Sequence, residues 1–243
     1  DGTSGVFDDN ANGFTRGEGV GVIVLRRRIE AEKNNNRIYG LIKTVHESYR
    51  GKTRNISEVK HEAITRVLQE CYQKGAIAPE SMSYIEVDGY ANKWADSFEY
   101  EGIKGAFATD TTGRKHVALG SIKGNIGNVE PVSGLVNTIK LALSLHHKIF
   151  PATISKKKIN SFIDVEQSSH PLYIADREIP FDTLRHAPGS PVRAGINSFA
   201  DSGSNVHIVM EEYLPQSRAD AGRAGAKQLV ILSARDSQNL EKY

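Results

Sequence analysis

A lone thiol, eight histidines and one short group of acids are the side chains of this 243-residue chain best suited to chemistry. The thiol, Cys71, lies with Ala63, Ile64, Val67 and Leu68 at helical spacing, so it reads as a small core residue and not as a nucleophile. A single cysteine also excludes an internal disulfide framework. His146 and His147 are adjacent at the expected end of an apolar helix. Cationic side chains suit the dipole there, and the pair is not read as a metal site. His207 sits in an apolar run and reads as a hydrogen-bonded core histidine. Asp88, Asp96 and Glu99 gather carboxylates within a short stretch. A new acid–base or metal site there is weighed against a site freed from its original task, and the second reading is preferred. Gly17-Glu18-Gly19-Val20-Gly21 has the glycines of a nucleotide loop but precedes a strand-like run, where such a loop would follow a strand and open a helix.

The elements that must position these groups alternate between strand and helix. Gly19 to Leu25 is a continuous apolar run suited to a strand buried on both faces, and Arg37 to Val45 reads as a second strand. Ser57 is placed to cap a helix from about Glu58 to Lys74. Ser83 to Val87 reads as a strand, followed by a helix over about Asp96 to Phe107 and a strand over Val117 to Ser121. Pro131 opens a long apolar helix over 132–147. Pro151 to Asp182 is loop-rich, with Lys156 to Lys158 as a solvated basic run. Ala194 to Phe199 and Asn205 to Glu211 are strands joined by a short turn. From Leu214 to Lys227 the composition turns to that of a linker, and Val230 to Ala234 starts a further element. The domain division expected is therefore 1–212 and 213–243.

Composition narrows the setting. At 39% hydrophobic and 25% charged, the chain has the make-up of a soluble globular domain. A net charge of +2 gives no footprint for nucleic acid, and no run approaches the ~20 apolar residues of a membrane span. With no signal peptide ahead of the first strand-like run, a cytoplasmic location is expected.

Four motifs then stand in a fixed order. Asn12-Gly13-Phe14-Thr15-Arg16-Gly17-Glu18-Gly19 resembles the "DGFxxGEG" signature of β-ketoacyl synthases, the condensing enzymes of thiolase fold. Tyr84 to Gly89 is similar to their "YxEAHGTGT", and Gly120 to Glu130 to their "GSxKxNIGHxE". Arg193 to Phe199, continued by Asn205-Val206-His207, is similar to "RxGxSSFGxGGTNxH". The resemblance covers residues 6–212. The tail at 229–235 resembles the segment that comes after ketosynthases in modular polyketide synthases served by a separate acyltransferase.

The resemblance implies a Cys nucleophile, carried by an N-terminal half outside this chain, and two His that assist decarboxylation of a malonyl thioester. The first His falls at Asp88 and the second at Asn128. An ionised carboxylate donates no hydrogen bond and repels an enolate, and losing one such donor costs ~10²–10³ in rate. The Asn amide can donate but cannot transfer a proton. After Gly89 the family's "TGT" becomes Tyr90-Ala91-Asn92, and its "GxGG" loop becomes Ala200-Asp201-Ser202-Gly203. Phe199 to Gly203 is thus the altered substrate and oxyanion region. The loop between Thr53 and His61 also falls short of the family's usual length. Lys123, Asn125, Gly127, Glu130, Asn205 and His207 are retained. Lys123 is read as a structural ion-pair partner of Glu130 in preference to a relic of catalytic electrostatics.

The expectation is the C-terminal half of a thiolase-like α/β fold, a mixed five-stranded sheet with helices on both faces. Its helix at 132–147 should face the missing N-terminal half. The function implied is a non-elongating ketosynthase-like part of a polyketide synthase, acting in antibiotic biosynthesis. Combined with a Cys-bearing half, it would pass an acyl chain between carrier proteins; the alternative is a catalytically inactive docking scaffold. The chain would hold no cofactor or metal of its own. The partners implied are an acyl carrier protein with its phosphopantetheine, the N-terminal half, and a second copy in a homodimer.

Overall fold

The computed structural model describes residues 2–53, 58–110, 113–153, 158–166, 170–215 and 236–240. The chain divides into a compact unit, Asp1–Tyr213, and a second one, Leu214–Tyr243. In the second, a single turn of helix over Ser237–Leu240 is described. Residues 216–235, which hold most of the expected linker and the element at Val230 to Ala234, lie outside the described residues, as do Ser57, Lys156 and Lys157.

In chain order the first unit contains α1 (Arg28–Lys33), β1 (Leu41–Tyr49), α2 (His61–Gly75), β2 (Tyr84–Glu86), α3 (Lys93–Ala106) and β3 (Val117–Gly120). There follow α4 (Lys123–Ile126), α5 (Ser133–His147), β4 (Ile149–Phe150), β5 (Leu172–Ile174), β6 (Ile179–Pro180), β7 (Arg193–Phe199) and β8 (Ser204–Glu211). Six strands form one mixed sheet in the order β1-β8-β7-β2-β3-β5, and β4 pairs with β6 beside it. The expected count of five strands is exceeded by β5, a three-residue strand inside the stretch read as loop, parallel to β3.

Alternation along the strands sorts the core into two faces. Ile85, Val117, Leu119 and Val209 pack with Ile64, Leu68 and Cys71 of α2 and with Tyr100 and Ile103 of α3. Tyr84, Ala118, Ala194, Ile196 and Met210 pack with Leu141 and Leu145 of α5 and with Phe150 and Phe181. Helices thus cover both faces, as the period-two pattern of a buried sheet requires. Cys71 is fully buried, in keeping with its place on the apolar stripe.

The helix starts differ from expectation by one turn or less. Asn92 caps α3, its Oδ1 accepting from Trp94 and Ala95 N–H at 3.1 Å each, so the helix begins at Lys93. β1 lies four residues later than the expected 37–45, because its register is set by antiparallel pairing with β8.

The largest departure is Gly19 to Leu25. This run forms no strand, and Val20, Val22 and Val24 are 94%, 84% and 92% exposed. A Cβ on Gly21 would stand 2.9 Å from Leu135 Cδ2 of α5 and 3.3 Å from Ile139 Cδ1, so the run lies across that helix. A strand exists only with a neighbour to take its backbone hydrogen bonds, and among the described residues this run has none.

Candidate functional site

Four of the strands run parallel, in the order β7, β2, β3 and β5. Their carboxyl ends therefore open at one edge, the place where open α/β sheets bind ligands. Asp88 lies just past the end of β2, Lys123 just past β3, and Phe199 ends β7. Sequence positions far apart are brought to one spot by strand order alone.

At that spot the Asp88 side chain is buried and its carboxylate is held on both sides. Its Oδ2 lies 3.3 Å from Lys123 Nζ, and its Oδ1 accepts the backbone N–H of Phe199 at 3.3 Å. Lys123 is itself buried. The expected ion pair between Lys123 and Glu130 does not form. Glu130 lies at the surface and pairs with Arg16 at 3.2 Å. Proximity in sequence favoured Glu130, but the adjacency of the β2 and β3 ends places Asp88 over the ammonium.

The loop carrying Asp88 is clamped from below by Glu99 of α3. Its Oε1 accepts Asp88 N–H at 2.8 Å and Asn197 Nδ2 at 2.9 Å, and its Oε2 accepts Gly89 N–H at 2.9 Å. Gly89 has φ +60°, and a Cβ there would meet Val6 and Ser121 below 3.0 Å, so glycine is required. Ala91 also adopts a left-handed backbone, φ 54°, which costs an alanine ~1 kcal/mol or more. Asp96, one turn before Glu99, points away and accepts Phe7 N–H at 2.9 Å. Burial pushes the carboxyls of Asp96 and Glu99 up to about 7, and the Asp88 charge adds to the effect at both. The three carboxylates thus share no common ligand, and among the described residues no His, Cys, Asp and Glu group could hold a metal.

Asn128 is buried beside the start of α5 and acts as a local brace. Its Oδ1 accepts Glu130 N–H and Ser133 Oγ–H, both at 2.9 Å. Its backbone binds Thr15 and Gly17, closing the motif around Arg16 onto this loop. A cavity of about 40 Å³, room for a water or two, is lined by Asp88, Glu99, Phe199, Ala200 and Asp201 with Arg50, Tyr90 and Asn205. Asn128 and Lys123 do not line it. The turn Ala200 to Gly203 closes β7 onto β8, with Gly203 N–H donating to Ala200 O at 2.8 Å. Arg50 fastens the turn by donating to Asp201 O at 2.6 Å. Ala200, Asp201 and Ser202 have ordinary negative φ, so their side chains strain nothing; Gly203 has φ +103°.

Sequence reading misses the second buried pair. Lys140 of α5 reaches Glu86 Oε2 at 2.5 Å and donates to Tyr84 Oη at 2.9 Å, while Glu86 Oε1 accepts Ile122 N–H at 2.7 Å. Nothing local signals this contact between residues 54 apart. His207 is a buried core histidine, as expected: its Nδ1 meets Asn197 Oδ1 at 2.7 Å, and burial lowers its pKa to about 3.

The family model of the β-ketoacyl synthase C-terminal domain matches residues 39–157, and that of the N-terminal domain matches 1–31. The chain is 35% identical over its whole length to polyketide synthase PksL of Bacillus subtilis, of which it spans 5%, and 31% identical to PksM of the same organism, spanning 6%. The ketosynthase from module 6 of the bacillaene synthase of Bacillus subtilis 168 superposes with a TM-score of 0.83 at 34% identity, over 88% of this chain and 37% of that one. An oxazolomycin ketosynthase domain from Streptomyces albus JA3453 gives 0.82 at 25% identity, over 100% and 42%. The two family models match successive stretches of the chain, which is thus similar to the ketosynthase part of polyketide synthases.

Proposed function

We propose that this chain is the C-terminal part of a non-elongating ketosynthase, one that passes an acyl chain between carrier proteins without decarboxylative condensation. The observation that carries the reading is the Asp88 carboxylate, seated on Lys123 and the Phe199 N–H where the family resemblance expects a His. A negative group at that point opposes enolate charge. Transfer makes no such demand: a Cys thiolate of the N-terminal half attacks the thioester carbonyl, and the phosphopantetheine thiol of the carrier leaves. The chain contributes the floor of the site and holds no cofactor itself.

The remaining N-terminal half is the proposed neighbour of Gly19 to Leu25, a run that lies within residues 1–31, which match the N-terminal domain. The exposed valines on the outer side of that run support the assignment. The complete domain is proposed to dimerise and to work in the cytoplasm, within a polyketide synthase served by a separate acyltransferase and making an antibiotic. The domain division proposed is a ketosynthase-like part up to residue 212 and a flanking segment beyond it.

A second reading has its own support. The Phe199 amide, in the region that the family resemblance gives to the substrate, is already taken by Asp88, as in a docking scaffold without activity. One experiment separates the two. The chain assembled with a Cys-bearing N-terminal half is incubated with an acyl-carrier thioester and weighed intact. Acyl transfer predicts a mass gain on that half, with no chain extension when malonyl carrier is added. An extended product overturns the non-elongating reading, and an unchanged mass supports the scaffold.

A further inference from the structure

Two positive groups converge on one point at the strand ends: a buried ammonium, Lys123 Nζ, and a backbone N–H, Phe199. They come from different elements, the start of α4 and the end of β7, and both meet the same carboxylate. Lys123 is only 4% exposed, so without an anion it would be an uncompensated charge in a dry place. Around the cavity that borders this point, the other charged groups are the cations Arg50 and Lys60 and the acids Glu99 and Asp201. Arg50 is committed to the Asp201 carbonyl and Glu99 to three N–H donors. With Glu99 so committed, the carboxylate that pairs with Lys123 is Asp88.

We propose that Lys123 and the Phe199 N–H form a carboxylate-binding site which Asp88 fills as a tethered resident anion. The class of ligand is a small monocarboxylate, and the chain supplies its own. While Asp88 is in place, the site turns away a second carboxylate at this depth, because two anions would have to share one ammonium. The inference rests on the geometry around Asp88 and holds whether or not the assembled domain transfers an acyl chain.

Truncating the tether should leave the site vacant and titratable. Asp88→Ala, in the chain assembled with its N-terminal half, is predicted to lose thermal stability and to regain part of it in millimolar acetate. Chloride at equal ionic strength should not substitute, and acetate should leave the wild type unmoved. Acetate that stabilises neither protein, or both alike, overturns the proposal. Should Asp88→Ala not fold, Asp88→Leu/Lys123→Met removes both buried charges together and is read by hydrogen exchange. The Phe199 amide should then exchange about tenfold faster than in the wild type, the effect of one lost hydrogen bond; an unchanged rate overturns the proposal.

Discussion

Glu86 and Asp88 stand two residues apart and are built alike. Each is a buried carboxylate, each faces a buried lysine, and each accepts one backbone N–H from a neighbouring segment. The geometry differs. Glu86 meets Lys140 at 2.5 Å and Ile122 N–H at 2.7 Å, and it also accepts Tyr84 Oη–H at 2.8 Å. Asp88 meets its two partners at 3.3 Å each. The first arrangement is closed on all sides by elements of the fold. The second sits at a strand end beside a cavity, where a shorter side chain spans a gap. Buried charges need partners everywhere, but only where the fold sets every distance does the pair lock the structure.

Removing one lysine at a time tests the contrast most severely. Lys140→Met strands the Glu86 charge and should cost ~3–5 kcal/mol in denaturant unfolding. Lys123→Met should cost less, ~1–3 kcal/mol, because Asp88 keeps the Phe199 N–H and borders a cavity. Equal losses would break the distinction.

A finer test uses Glu99, which supports the Asp88 loop. Its folded pKa is raised to about 7 from the ordinary 4.5, so the stability it lends is present below that ordinary value and is lost as pH rises through the folded one. Glu99→Gln has no proton to lose. Its penalty relative to the wild type should therefore shrink between pH 5 and pH 8, by roughly 2–3 kcal/mol, when unfolding is followed at both. A constant penalty would mean that Glu99 is ionised throughout and that Asp88 carries less charge onto it than its position implies.

How much of this is legible in sequence depends on the range of each interaction. The strands at β2, β3, β7 and β8 and the helices α2 and α5 carry their own apolar periodicity, which places them within a few residues. The positions of Asp88, Asn128, Lys123 and Phe199 come from motif order. The contacts among them do not, since Lys123 has acids at two sequence distances and only the strand order decides between them. Glu86 with Lys140 has no local signal. β5 escapes a sequence reading because three residues in a loop-rich stretch show no period. Gly19 to Leu25 invites a strand that does not form, because an apolar run says nothing of who its neighbour is.

That same run has a consequence for how the protein survives its own synthesis. Gly19-Val20-Gly21-Val22-Ile23-Val24-Leu25 is uncharged, lacks proline and is rich in β-branched residues, with its valines turned to water. Such a stretch is a template for cross-β stacking between identical chains. The hazard lasts until something covers it, so the yield of intact protein depends on a race between covering and chance encounters among copies, and crowding enough copies together turns that race toward aggregation.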